Sequence, residues 1–222
     1  MLRGSVLSKQ RWVSATEEKA PRIAGPVWVI SLLISVVTAG VAFAYFDVPI
    51  ARFVYGTLGS AAESLGKGLA SAVLLSGEAA VALTLIVLRI TRGRLSPLGE
   101  TTALACLTSI CAYAIDDNAL KLIFGVPNPG MVLHGARHAF HLLGGSSNSS
   151  FPSGHMVLSG GFAGVFMRMY RRSTVLLCVL QLIGAVLLVV GDWHFVSDVI
   201  AGTFVGISAG LLAAEVWAAH SR

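Results

Sequence analysis

Charge is what this sequence lacks most: Lys, Arg, Asp and Glu make up only 12% of its 222 residues, while 55% are hydrophobic. A soluble domain does not need that much apolar material to fill one core, so an ordinary water-soluble protein is excluded as the first reading. Cysteine is scarce too. Cys106, Cys111 and Cys178 all lie inside apolar runs, which leaves no disulfide framework and no paired-cysteine zinc pattern. No basic stripe is interleaved with aromatic residues, so the net charge of +5 does not point to nucleic acid. Strands of alternating polarity, the mark of an outer-membrane barrel, are missing. So are the paired half-repeats of a transporter.

What remains is a set of long apolar runs. Six are expected to form helices: 23–46, 69–88, 104–124, 153–167, 173–190 and 199–219. About 20 apolar residues are needed to cross a hydrocarbon layer of about 30 Å. The expected fold class is therefore all-α, an integral membrane bundle of about six transmembrane helices. The fourth run is short and rich in glycine. Residues 51–67, which mix Arg52, Glu63 and Lys67 with small residues, read as a helix lying along the interface. The first run is too long for the core of a cleaved signal peptide and is expected to stay as an anchor. The expected organisation is a cytoplasmic tail over 1–22 followed by one membrane domain over 23–222.

Lys and Arg are retained on the cytoplasmic side of a membrane. Arg3, Lys9, Arg11, Lys19 and Arg22 precede the first run, Arg89, Arg92 and Arg94 follow the second, Arg168, Arg171 and Arg172 follow the fourth, and Arg222 ends the chain. The opposite loops hold only Arg52, Lys67, Lys121 and Arg137. Both termini are therefore expected in the cytoplasm.

The scarce polar residues gather on the other side. Asp116, Asp117, Asn118 and Lys121 end the third run, and a long loop over 125–152 carries His134, Arg137, His138 and His141. Ser153 and His155 open the fourth run, and Asp192, His194 and Asp198 lie between the fifth and sixth. Polar groups are costly at such depth and mark function. Pro152 suits a helix entrance, Ser153 an N-cap, and Gly154 a close approach of backbone to an anion held by the helix N-terminus. His194 and Asp198 are four apart: Asp198 either orients the imidazole or caps the last helix. Asp116 and Asp117 either position Lys121, recognise an amine-bearing head group, or form a plain helix-end cluster. His134, His138 and His141 have the spacing of a helical metal face but lack a fourth ligand, and they read as a polar loop. Asn148, Ser149 and Ser150 match a glycosylation sequon. Glu78, inside the second run, is expected to face the bundle.

Together and in order, Lys121 with Pro129, Pro152-Ser153-Gly154-His155, and His194 with Asp198 resemble the three signatures of the type 2 phosphatidic acid phosphatase superfamily, KxxxxxxRP, PSGH and SRxxxxxHxxxD. The resemblance covers roughly residue 104 to the C-terminus. It implies metal-independent, cofactor-free phosphoryl transfer through a phosphohistidine, with His194 as nucleophile, Asp198 orienting it and His155 protonating the leaving oxygen. Lys121, Ser153 and the Gly154 amide would hold the phosphate.

The chain departs from the pattern at two arginines. Asn128 stands at the first, and Leu187-Leu188 stands where the third signature has Ser-Arg. Leucine supplies neither charge nor paired donors to a phosphate. Three explanations follow: Arg137 reaches the phosphate instead, with Asn128 beside it; the reaction is head-group transfer, as in the sphingomyelin synthases; or the protein is a non-catalytic phospholipid binder. The retained histidines and aspartate favour an enzyme. The expected partners are a phosphorylated membrane lipid and the bilayer, and the expected location is a bacterial inner membrane with the site facing the periplasm.

Overall fold

An apolar run folds as a helix because every backbone donor and acceptor is then satisfied within the segment. The computed structural model describes residues 25–58 and 69–220, without the side chains of 69–74, and all regular structure in these residues is helical. The expected tail over 1–22, residues 59–67 of the expected interface helix, and Arg222 lie outside the described residues. The chain divides into two units, Met1–Ser31 and Leu32–Arg222. Residues 25–31 of the first are helical, and the contacts described below all lie within the second.

Helix α1 comprises Gly25–Val41, a π turn at Ala42–Phe46, and Asp47–Leu58. The expected run stopped at 46, and residues 51–58, expected in a separate interface helix, belong to α1 instead. Pro49 offers no N–H to the carbonyl of Tyr45, and the ladder widens into the π turn without breaking. Helix α2 is Leu69–Arg92, and α3 runs Pro97–Ile115, passes a second π turn at Asp116–Leu120 and closes with Lys121–Phe124. Ser96 caps α3 by accepting from the Gly99 amide at 3.1 Å, with Pro97 at the first helical position. A short helix, α4, covers Pro129–Leu133; α5 is Gly154–Met169, α6 is Thr174–Val190 and α7 is Val196–His220.

Four stretches are long and apolar enough to cross a membrane: Gly25–Leu58, Pro97–Leu133, Arg171–Val190 and Val196–His220. The other two runs correspond to α2, with 24 residues, and α5, with 16. Most of α5 is buried, and its glycines explain its composition. A Cβ on Gly164 would meet the Ile207 carbonyl at 2.5 Å, and one on Gly206 would meet the Val157 carbonyl at 2.5 Å. Glycines thus let α5 and α7 touch backbone to backbone, the means by which helices associate where the hydrophobic effect gives no preference between protein and lipid. On its other side α5 meets α3, where Gly161 faces Ser109. The outward faces of α1 and α6 carry exposed Val, Leu and Ile, a surface suited to lipid.

Candidate active site

Three elements bring their polar ends together: the last turns of α3, the first turn of α5, and the turn that leads into α7. Ser153 holds the N-cap position of α5 in extended conformation, yet its hydroxyl makes no capping bond. Its Oγ is fully buried and has no hydrogen-bond partner among the described residues. The Ser153 backbone is fixed, since its N–H donates to the Asp198 carbonyl at 3.1 Å. The opening N–H groups of α5 also lack intrahelical acceptors. A buried hydroxyl thus sits at the N-terminus of α5, where backbone N–H groups and the positive end of the helix dipole favour an anion.

From the sequence, Gly154 is expected to let a ligand approach the backbone closely. The structure adds a packing reason: a Cβ there would meet the Tyr113 ring at 3.0 Å and Asp116 Oδ2 at 3.2 Å. The glycine seats the start of α5 on α3.

His155 and His194, 39 residues apart, meet with Nδ1 of the first 3.3 Å from Nε2 of the second. His194 Nδ1 lies 3.5 Å from Asp198 Oδ2, an ion-pair distance longer than a closed hydrogen bond. The same oxygen accepts the Phe195 N–H at 2.8 Å, so Asp198 caps the start of α7. The turn before it is tight: Asp192 takes a left-handed φ of 55°, and the Trp193 and His194 amides both point to the Leu188 carbonyl. With Nδ1 toward the carboxylate, Nε2 is the nitrogen His194 presents to the site.

Leu188, at the signature arginine position, packs with Met156 and Val199 in an apolar cluster beside these histidines. Asn128, at the other arginine position, is occupied with local structure. Its Oδ1 accepts the Met131 N–H at 2.9 Å as the cap of α4, and its Nδ2 donates to the Asn148 carbonyl at 3.4 Å. Arg137 is exposed and makes no hydrogen bond or ion pair among the described residues.

Lys121 is buried, with Nζ 2.8 Å from Asp117 Oδ1 and 6.0 Å from the Tyr113 ring centre. Tyr113 is the ring that abuts Gly154, so the lysine stands one side chain away from the start of α5. Asp117 thus positions Lys121, one of the readings of that cluster. Asp116, its neighbour in sequence, turns inward toward Gly154, and neither of its oxygens has a hydrogen-bond partner among the described residues. The π turn shifts the helical phase where these residues sit, a feature common at functional sites.

The loop before α5 is held by its backbone. His141, Leu143 and Gly145 donate to the carbonyls of Phe124, Ile123 and Leu122, which the end of α3 leaves unpaired. Its three histidines go to separate partners. His134 reaches the Gly130 carbonyl, His141 the Gly125 carbonyl, and His138 stacks on Phe43 at 4.1 Å between ring centres. Among the described residues no three His, Cys, Asp or Glu side chains gather as metal ligands.

His138 leads to the residue that sequence reasoning missed. Asp47 of α1, 1% exposed, accepts from the Ser197 N–H at 3.0 Å and the Ser197 Oγ at 2.5 Å, and lies 3.5 Å from His138 Nε2. Burial holds the His138 pKa below its ordinary 6.5, outweighing the nearby Asp198 charge. Asp47 ties α1 to the residue next to Asp198. The one available signal was a lone acid placed directly after the first apolar run.

No curated protein and no solved structure matches the chain. A model of the PAP2 superfamily matches residues 101–222, more than half of the sequence and all of α5, α6 and α7. That span contains His155, His194, Asp198, Ser153 and Lys121, and the chain belongs to the PAP2 superfamily.

Proposed function

We propose that the protein is a membrane lipid-phosphate phosphatase that works through a phosphohistidine and without a metal. The observation that carries this reading is the His155, His194 and Asp198 relay beside the unbonded Ser153 hydroxyl. In this reading Asp198 stabilises charge on His194 through Nδ1, and Nε2 attacks phosphorus. The ester P–O bond breaks, its electron pair stays on the leaving oxygen, and His155 gives that oxygen a proton. Water then attacks phosphorus and breaks the P–N bond, and His155 takes the proton back. Ser153 Oγ, the Gly154 amide and Lys121 hold the phosphate oxygens as charge builds there. Arg137 supplies a further cation from the loop; Asn128 serves the site by fixing α4 and that loop.

The chain crosses the membrane six times in this account, α2 and α5 included, with both termini cytoplasmic and the site on the opposite face. The support is the basic residues Arg89, Arg92, Arg94, Arg168, Arg171 and Arg172, all in the last turns of α2 and α5 or in the connections that follow them, at the end away from His155 and His194. A bacterial inner membrane with the site toward the periplasm fits this orientation.

Phosphate release from lipid phosphates by the detergent-solubilised full chain tests the proposal. Release of inorganic phosphate supports it. Transfer of the phosphoryl group to an added lipid alcohol without free phosphate would replace hydrolysis by head-group transfer, and neither product from several lipid phosphates would contradict the enzyme reading.

A further inference from the structure

A cavity of about 760 Å³ opens beside the histidines and runs between α5 and α6. Its volume lies within the ~300–1,000 Å³ range typical of ligand pockets. His155 and Trp193 stand at one end, and Phe162, Leu177 and Leu180 continue it along the helices. Leu180 and Leu187 on its wall are more than half exposed, so the cavity is open on the outward, apolar face of α6. A chain can therefore enter from the side. A Cβ on Gly184, also in the wall, would have nothing within 4 Å.

Three polar side chains interrupt this lining: Glu78 of α2, Ser159 of α5 and Gln181 of α6. Ser159 Oγ lies 2.9 Å from the His155 carbonyl and 3.2 Å from Gln181 Oε1. Glu78 has the Ser109 hydroxyl beside its carboxyl group, and Ser109 Oγ also lies 2.5 Å from the Leu158 carbonyl, so its single proton cannot serve both carboxyl oxygens. Glu78 Oε2 is buried and has no hydrogen-bond partner among the described residues. A carboxyl oxygen left unmet in an apolar cavity is costly, and a plain hydrocarbon chain would leave it so.

We infer that this cavity holds the apolar chain of the lipid substrate and selects a chain that carries a hydroxyl or amide N–H for Glu78. The inference rests on the lipid-phosphate reading of the adjacent histidines. Ser159 is one helical turn from His155 and Leu158 is beside it, which sets the donor roughly 6–10 Å from the phosphate. Gln181, joined to Ser159, lines the same depth and offers its own amide to a chain oxygen there. An unsubstituted chain fits the volume but leaves Glu78 Oε2 unmet.

The test uses the full chain in lipid nanodiscs with two long-chain alkyl phosphonates, which resist hydrolysis, each ending in a diazirine. They differ only in a hydroxyl placed at the depth of Glu78. After irradiation, labelled peptides are mapped by mass spectrometry. The hydroxylated probe is expected to label α5 and α6 about five-fold more than the plain one, the ratio one hydrogen bond sustains. Glu78→Leu is expected to bring that ratio to one. Gly184→Phe, which adds a ring to the cavity wall, is expected to abolish labelling by both probes. Equal labelling in the wild type overturns the selection, and label confined to other helices overturns the pocket. Phosphate release by the wild type is measured in parallel. Its failure would sink the phosphatase reading while the labelling ratio still decides the pocket.

Discussion

Asp47 and Ser197, 150 residues apart, are joined by two hydrogen bonds, from the Ser197 N–H at 3.0 Å and the Ser197 Oγ at 2.5 Å. Ser197 is flanked by Val196 and by Asp198, whose carboxyl group lies 3.5 Å from His194, so α1 fixes the base of the turn that carries His194. Removing the carboxylate leaves two buried donors unmet. Asp47→Ala is expected to cost about 1–3 kcal/mol of stability and to lower kcat roughly 10–100-fold with KM little changed, because displacement of the reacting group acts on the chemical step. Asp47→Asn keeps one acceptor and is expected to recover part of kcat. Equal losses in kcat for both variants, or a change confined to KM, would contradict a positioning role.

Ser153→Ala separates function from structure. The hydroxyl makes no bond within the described residues, so its loss is expected to leave thermal stability within about 0.5 kcal/mol of wild type, or to raise it slightly. Activity on a lipid phosphate is expected to fall about ten-fold or more as one phosphate donor disappears. Unchanged kcat/KM would remove Ser153 from the cradle.

How much of this was legible in the sequence depends on distance along the chain. The PSGH stretch and the four-residue step from His194 to Asp198 are local, so residue type and helical period suffice to read them. Lys121 and Asp117 are also one turn apart, and their ion pair follows from that spacing. Asp47 was not legible, because its partners lie far away and a helix-end acid has many ordinary uses. The extension of α1 to Leu58 was hidden by Pro49 and by the π turn that absorbs it. The glycines of α5 looked like weakness in an apolar run, and only the partner glycines of α7 give them meaning. Asn128 and Leu188 could be flagged as departures from a pattern; that one caps a helix and the other fills an apolar cluster appears only with coordinates.

The contact between α5 and α7 gives a packing prediction. Gly164→Leu places a side chain where the Cβ alone would stand 2.5 Å from the Ile207 carbonyl, with backbone atoms of Gly210 and Leu211 at 3.0 Å. Backbone on a packed helix does not yield as a flexible side chain would. A loss of about 1–3 kcal/mol or more is expected, read as a lower melting temperature in detergent. Gly184→Ala, where nothing lies within 4 Å, is the control and is expected to change little.

His138 ties stability to pH. Its folded pKa lies below its ordinary 6.5, so as pH falls under that value the unfolded chain takes up a proton that the folded site resists. Stability is then lost on acidification, and above the ordinary value His138 adds no pH dependence. Melting temperatures at about pH 7.5 and about pH 5.5 are expected to differ more in wild type than in His138→Phe, which keeps the stack on Phe43 and cannot titrate. An equal drop in both proteins would show that His138 is not the group responsible.

In the proposed reaction His194 Nε2 becomes covalently bonded to phosphorus. The full chain, incubated briefly with a lipid phosphate labelled in its phosphoryl group and quenched in alkali, is expected to carry label that survives base, is released by acid and maps to the peptide containing His194. His194→Ala is expected to carry none, and His155→Ala is expected to turn over more slowly because the leaving oxygen goes unprotonated. Label that persists in His194→Ala, or phosphate release by wild type with no label ever trapped on histidine, would contradict the account.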